Sequence, residues 1–454
     1  MRRPLAAAVI RLLALAGLAG GGAHAADDNS PAGAPAASAP PDTADRFALY
    51  WQATFTEQGD SGFHDPYSGP NSLTPHQSRE TADSTLFAGA RLWPGAELWI
   101  NPEVDQGFGL DQTLGVAAFP SAEAYKIGSN APYFRLQRAF IRDTWNLGGP
   151  TQAVDTGANQ FAATLSENRI VLSVGKISAV DIFDGNQYAH DPKNDFLNWA
   201  VVDTGTFDYA ADSWGYTVGA AAEWYTGAWT LRAGIFDLSD IPNSPHLESG
   251  FDEFQIITEL ERRYELFGRA GKILVTGFDS RGRMGLYSAA IDYAEETGAP
   301  VSTALVRSYR TRLGASMSWE QQIAGDLGAF ARLGKAQGNV ETYEFTDIDR
   351  TVAVGLSLKG SRWRRPDDSV GVAGVTSGIS ADFERYLNAG GLGPLIGDGR
   401  LPHPGPEQVL ETYYELAVIH QLHLTLDYQF VEHPGYNRDR GPVSITALRV
   451  HVQL

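Results

Sequence analysis

The sequence has no cysteine. That excludes disulfide frameworks, thiolate metal sites and cysteine nucleophiles, and leaves strand pairing and burial to hold the fold. Beyond residue 25 there is no apolar run near the length a membrane-spanning helix needs. Hydrolase, metalloprotease and nucleotide-loop signatures are missing: no G-x-S-x-G, no H-E-x-x-H and no G-x-x-x-x-G-K-[ST]. None of the ten histidines is singled out by its placement. Asp347 and Asp349 form a D-x-D pair without the Gly and Glu of a calcium loop, and are expected to be solvated loop charge. Basic residues are the minority, 35 against 54 acidic, which argues against a nucleic-acid partner. No catalytic residue, cofactor or metal is expected.

The N-terminus carries Arg2, Arg3, an apolar stretch and the small-x-small site Ala23-His24-Ala25. Residues 1–25 are therefore expected to be a signal peptide. Residues 26–44, rich in Pro, Ala and Ser, cannot bury a core and read as a flexible segment. Residues 45–454 contain nothing that reads as a domain linker, and form one expected domain.

The mean hydropathy of −0.22 looks soluble, but a transmembrane strand shows lipid only alternate residues. Phe47, Leu49, Trp51, Ala53 and Phe55 alternate with Tyr50, Gln52 and Thr54; Leu422, Leu424, Leu426, Tyr428 and Phe430 alternate with His423, Thr425, Asp427 and Gln429. The same period of two recurs in Ala96–Ile100, Trp214–Trp224, Trp229–Ile235, Tyr309–Trp319, Leu327–Leu333 and Val352–Leu358. Val443–Leu454 makes a last strand, with Leu448, Val450, Val452 and Leu454 outward, expected to close against the Phe47 strand. Trp224 and Trp229, flanking a turn, fit an aromatic girdle.

A soluble β-sandwich would alternate too. The polar face decides between them: Glu97, Glu223, Arg232, Glu259, Arg310, Arg312, Arg332, Glu411, Glu415 and Asp427 suit a wet lumen and not a dry sandwich core. The expected class is all-β, a transmembrane antiparallel barrel with a short loop helix over Ser380–Gly390, where Ser380 caps and Gly390-Gly391 stop it. The connections Asp105–Pro132, Asp181–Asp212 and Asn388–Pro406 read as long outer loops, some able to fold inward.

Several blocks resemble the carbohydrate-selective porins, the OprB-like family: INPEVDQGFGLDQTLGVAAFPSAEAYKIG (Ile100–Gly128), PYFRLQRAFIRDT (Pro132–Thr144) and VGKISAVDIFDGNQYAHDPKNDFLNWA (Val174–Ala200). FDYAADSWGYTVGAAAEWYTGAWTLRAGIFDLS, GLGPLIGDGRLPHPGPEQVLETYYELAV and LTLDYQFVEHPGYNRDRGP continue it, so the resemblance covers nearly the whole chain after the leader. It implies a 16-stranded outer-membrane barrel whose narrowed, charged and aromatic-bearing channel passes monosaccharides such as glucose. Two departures stand out: Ala118 and Ala122 where the family has glycine, and Leu454 at an end where an aromatic residue is usual, expected to weaken recognition by the assembly machinery.

A sugar entering a narrow pore needs donors and acceptors in place of water, without tight binding. Arg138 and Arg142 share one strand face, roughly 13 Å apart, and with that family block are the first constriction candidates. Glu97, Asn101 and Glu103 share a parity in the preceding segment and could supply opposing acceptors, with Trp99 offering a ring face. Glu223 is expected diagonal to Arg232 across a turn at Thr226-Gly227. Arg135 has the wrong parity for this face unless a bulge or a strand start lies near Gln137, and the sequence shows neither. The commoner role of any one such side chain is wall stabilisation. Besides sugars, the expected partner is outer-membrane lipid in a Gram-negative cell, with monomer and homo-oligomer both open. A general porin is the alternative reading, ahead of a barrel enzyme or a periplasmic lectin.

Overall fold

The computed structural model describes residues 45–248 and 250–454. The expected signal peptide and the segment 26–44 lie outside the described residues. The strands are β1 (Phe47–Asp60), β2 (Ser78–Trp93), β3 (Ala96–Gly107), β4 (Ser129–Val154), β5 (Ala163–Ile177), β6 (Thr217–Thr226), β7 (Trp229–Asp237) and β8 (Phe254–Leu266). They continue with β9 (Arg269–Met284), β10 (Ser308–Gln322), β11 (Leu327–Ala336), β12 (Arg350–Lys359), β13 (Ser369–Gly378), β14 (Glu407–Ile419), β15 (Leu422–Glu432) and β16 (Val443–Gln453). Each pairs antiparallel with its sequence neighbours, and β1 pairs with β16, closing a 16-stranded barrel without edges.

Parity fixes which face each strand turns outward. Phe47, Leu49, Leu426 and Leu448 are exposed on the outer wall, while Thr54, Thr56, Asp427 and Arg449 on the other parity are buried inside. One end of the barrel has short turns, such as Pro94-Gly95, Gly227-Ala228 and Phe267-Gly268. Phe267 and Gly268 both have positive φ, 53° and 71°, the combination a two-residue turn needs to follow strand twist; only glycine adopts it freely. Exposed Trp93, Trp145, Trp224, Trp229 and Phe267 collect at this end as a girdle.

The opposite end carries the long connections, and they turn into the lumen. Residues 196–213 and 341–349 are buried throughout. The apolar core therefore sits inside the barrel: Phe119 stacks on Trp199 at 5.3 Å, Trp199 meets Phe345 at 5.7 Å, and Phe196 meets wall residue Tyr413 at 4.9 Å.

Sequence expectation and structure differ in places. The helix Ala381–Asn388 is present, with Ser380 accepting from the Phe383 amide, but a longer one, Tyr287–Thr297, was not foreseen. Trp214 and Tyr216 precede β6 and belong to the inward connection. The lumen is packed where an open wet interior was expected: Glu259, Arg312, Arg332 and Glu411 are at most 1% exposed, because loop backbone, and for Arg312 the carboxylates of Asp208 and Asp349, cover them.

Leu426, 65% exposed at the centre of β15, tests the outward assignment. Leu426→Arg is expected to cost about 2–4 kcal/mol in urea unfolding from lipid vesicles, the penalty for a cation near the bilayer midplane; stability equal to the parent would contradict it.

Candidate channel constriction

The arginine row on β4 depends on a break in the ladder. Asn101 pairs with Arg138, but the next pair is Pro102 with Leu136, so Gln137 is an extra residue on β4. Proline has no N–H to give the ladder, which makes this the natural place for a bulge. Its consequence is that Arg135, opposite Glu103, faces inward along with Arg138 and Arg142. The parity conflict noted for Arg135 is thereby resolved.

Each arginine then finds a carboxylate. Arg142 Nη2 lies 2.9 Å from Oε2 of Glu97, directly across the ladder. Arg138 reaches across to the inward connection instead, with Nη2 2.6 Å from Asp181 Oδ1 and Nε 2.8 Å from Oδ2. The short 3-10 turn Ala179–Asp181 holds that carboxylate, since Oδ2 also accepts from the Ser178 amide. The Tyr216 ring lies 4.9 Å from the Arg138 guanidinium, and burial pushes its hydroxyl pKa up. Arg135 stacks 3.4 Å over Trp214 and pairs with Asp212 at 2.8 Å, a carboxylate shared with Lys176 at 3.4 Å. Lys193, from the same connection, joins Asp83 at 3.0 Å and Glu123 at 2.7 Å. Burial opposes its charge, yet those two carboxylates hold its pKa well above the ordinary lysine value.

Exposure sorts the expected residues. Arg138 and Asp181 keep 19% and 28% of their side-chain surface, and Arg142 keeps 25%. Trp99 and Asn101 are fully buried and Glu103 nearly so. Trp99 donates to Glu97 at 2.9 Å, and Glu103 accepts from Thr85, Tyr125 and Gln137; Asn101 lies opposite Arg138 in the ladder. Glu223 stands directly opposite Arg232, not diagonal, because the turn falls at Gly227-Ala228. Arg232 also binds Glu259 at 2.7 Å and Glu261 at 2.9 Å, a separate cluster. Asp181, Asp212, Lys176, Lys193 and Tyr216 were missed as site residues. All except Lys176, on β5, belong to a connection whose inward path no periodicity records.

Other wall charges hold that path. Glu407 accepts from the Ala117 and Ala118 amides at 3.0 and 2.7 Å, so Ala118 leaves the loop well anchored despite departing from the family's glycine. Glu411 accepts from Leu197 at 2.5 Å and Asn198 at 3.2 Å, Glu259 from Asp184 at 2.7 Å, and Glu320 from Gln187 at 2.7 Å. Arg332 donates to the Val201 carbonyl, and Arg449 to those of Pro192 and Asp195. Asp347 is not solvated, as its D-x-D setting led us to expect, but buried, accepting from Leu395 and Ile396 at 2.7 and 3.0 Å.

A closed 16-stranded barrel with an apolar outer belt and a charged lumen narrowed by its own connections is an outer-membrane diffusion channel. The sequence model of the carbohydrate-selective porin, OprB family, matches residues 71–454, and the chain belongs to that family. Pseudomonas putida OprB in its high-pH structure shares the fold with TM-score 0.68 at 15% identity, covering 90% of this chain and 94% of that one. The low-pH structure of the same protein gives 0.50 at 11% identity, covering 90% and 92%. DcaP, an outer-membrane channel of Acinetobacter baumannii, gives 0.52 at 11%, covering 90% and 97%. A search of curated proteins returned no match. Family and fold point to a channel rather than an enzyme.

Two predictions concern the inward connections. Glu411→Ala removes the acceptor of two buried amides, and a buried donor left without its partner costs on the order of 2 kcal/mol. Amide exchange at Leu197 and Asn198 should accelerate at least about tenfold; unchanged protection would mean Glu411 does not anchor the loop.

The second concerns pH. Burial pushes Asp347 up to about 7, against its two amide bonds. Burial, with the Asp191 charge, lifts Asp195 to about 6, and burial lifts Asp203 to about 6 against the pull of His190. A buried acid with a raised pKa favours its protonated form in the folded state, so its contribution is full below the ordinary carboxylate range and is lost as pH rises through 6 to 7. Exchange at Leu395 and Ile396, corrected for intrinsic rates, should be slower at pH 5 than at pH 8, and Asp347→Asn should abolish most of that difference. Equal protection at both pH values would contradict this sign.

Proposed function

We propose that this protein is a passive channel of a Gram-negative outer membrane through which small sugars, glucose-like monosaccharides among them, diffuse into the periplasm. Arg138 and Arg142 form one side of the constriction, joined by Arg135. Asp181, Asp212 and Tyr216 face them from the inward connection, and Glu97 supplies a further acceptor on the wall. The observation that carries the reading is this row of half-open arginines set against loop carboxylates and a tyrosine ring, within a family of carbohydrate-selective porins.

The chemistry fits a neutral polyol. Guanidinium N–H groups donate to ring hydroxyls, carboxylate oxygens accept from them, and the ring of Tyr216 offers an apolar surface to C–H groups. Because each arginine is already paired, a sugar exchanges one set of hydrogen bonds for another and is not held tightly. Ions meet paired charges in a narrow passage and gain little. Trp99, Asn101 and Glu103 position the arginine wall, and the Glu223–Arg232 cluster stiffens the neighbouring strands.

Arg138→Ala with Arg142→Ala is expected to raise single-channel ion conductance severalfold while weakening block by glucose. Unchanged conductance and unchanged block would remove both residues from the constriction.

A further inference from the structure

The outer wall is not apolar all the way to its loop end. Lys335 is the penultimate residue of β11 and Arg350 opens β12; they stand directly opposite each other in the ladder, exposed on the outward parity of Leu333 and Val352. Like charges directly across a strand pair repel. Neither side chain has an ion pair or hydrogen bond to another described residue. Asp349, the carboxylate that feels the Arg350 charge, is turned to Arg312 at 3.5 Å and the Ser380 amide at 2.8 Å. The Arg350 guanidinium lies against β13 over Gly378, where a Cβ would come within 2.7 Å of Nε. The glycine thus makes room for a cation on the outward face.

Below this pair the wall is hollowed. One cleft of about 500 Å³ runs beside Met317, Leu333, Val352 and Thr376, with Lys335 and Arg350 at its border. A second, about 600 Å³, between Ile256 and Leu313 shares Ala315 and Lys335 with the first. Asp279 also borders the second cleft, so the cationic character is confined to the shared end. The connection 337–349 is one of the long ones, and in outer-membrane barrels those lie on the outer side. The two cations therefore stand where the outer leaflet's headgroups begin, above grooves open to its acyl chains.

We propose that Lys335 and Arg350 bind the phosphate headgroup of an outer-leaflet acyl lipid, whose chains occupy the two clefts. A phosphate accepts from both cations and removes their mutual repulsion, and Arg350, pinned over Gly378, presents its donors in a fixed orientation. The apolar outward residues favour a phosphate that carries acyl chains over a free water-soluble anion, since only attached chains can fill the grooves.

Native mass spectrometry of the full chain, exchanged into phosphatidylcholine with and without phosphatidic acid, tests this. The parent is expected to retain phosphatidic acid in preference to phosphatidylcholine. Lys335→Gln with Arg350→Gln should weaken that preference about twenty-fivefold, taking about fivefold for each basic residue at a headgroup. Arg262→Gln, which removes an exposed cation near the opposite rim, should leave it unchanged, and ion conductance of every variant reports correct folding. Lys335→Gln alone, leaving Arg350 on Gly378, should give about fivefold if the double variant does not fold. Equal retention of the two lipids by the parent, an unaltered preference in the folded variants, or a second copy of the chain covering this face in place of lipid would each overturn the proposal.

Discussion

The inward path of the long connections depends on polar side chains of the barrel wall binding main-chain groups of those connections. Glu259, Glu320, Glu407 and Glu411 accept from loop amides, and Arg332 and Arg449 donate to loop carbonyls. A buried amide left without an acceptor is costly, and so is a buried carboxylate without a donor. Each penalty is relieved by the other, which is why a strand can carry these charges inward and a long connection can leave water. The connections add an aromatic core of their own around Trp199 and Phe345, so the lumen closes by the same burial that closes a soluble domain.

That packing decides which groups of the inner wall stay partly open. Loop residues cover most of the inner wall, and the arginines of β4 remain partly open because Asp181 and Tyr216 approach without covering them. The bulge at Gln137 matters as much as the loop. Without the extra residue the parity of Arg135 would send it to lipid, and Asp212 would keep Lys176 as its only basic partner among the described residues. Wall, bulge and loop together set three guanidinium groups against fixed acceptors.

Most of the barrel was legible in the sequence because lipid demands apolar residues at every second position, and that period survives in β1, β15 and β16 without any tertiary knowledge. The short helix at Ser380 was legible for the same local reason: its cap and stop are both encoded nearby. What failed was whatever depends on contacts distant in sequence. Asp347 looked solvated because the segment that buries it, around Leu395, lies far along the chain. The turn at Gly227-Ala228 was misplaced by one residue, enough to move Arg232 from diagonal to opposite Glu223. The helix Tyr287–Thr297 has no side-chain cap at its start and a weak apolar stripe, leaving Gly298 at its end as a stop without a matching start. Arg138, Arg142 and Glu97 were placed on the inner wall from strand parity and family context, whereas their loop partners could be read only from the fold.

The most direct test of a sugar-selective passage is single-channel conductance of the refolded protein in a planar bilayer, titrated with glucose and, separately, with an uncharged non-sugar of similar size. Open channels whose current falls saturably with glucose and not with the control are the predicted result. Open channels that respond identically to both solutes would contradict it and make the passage a general pore.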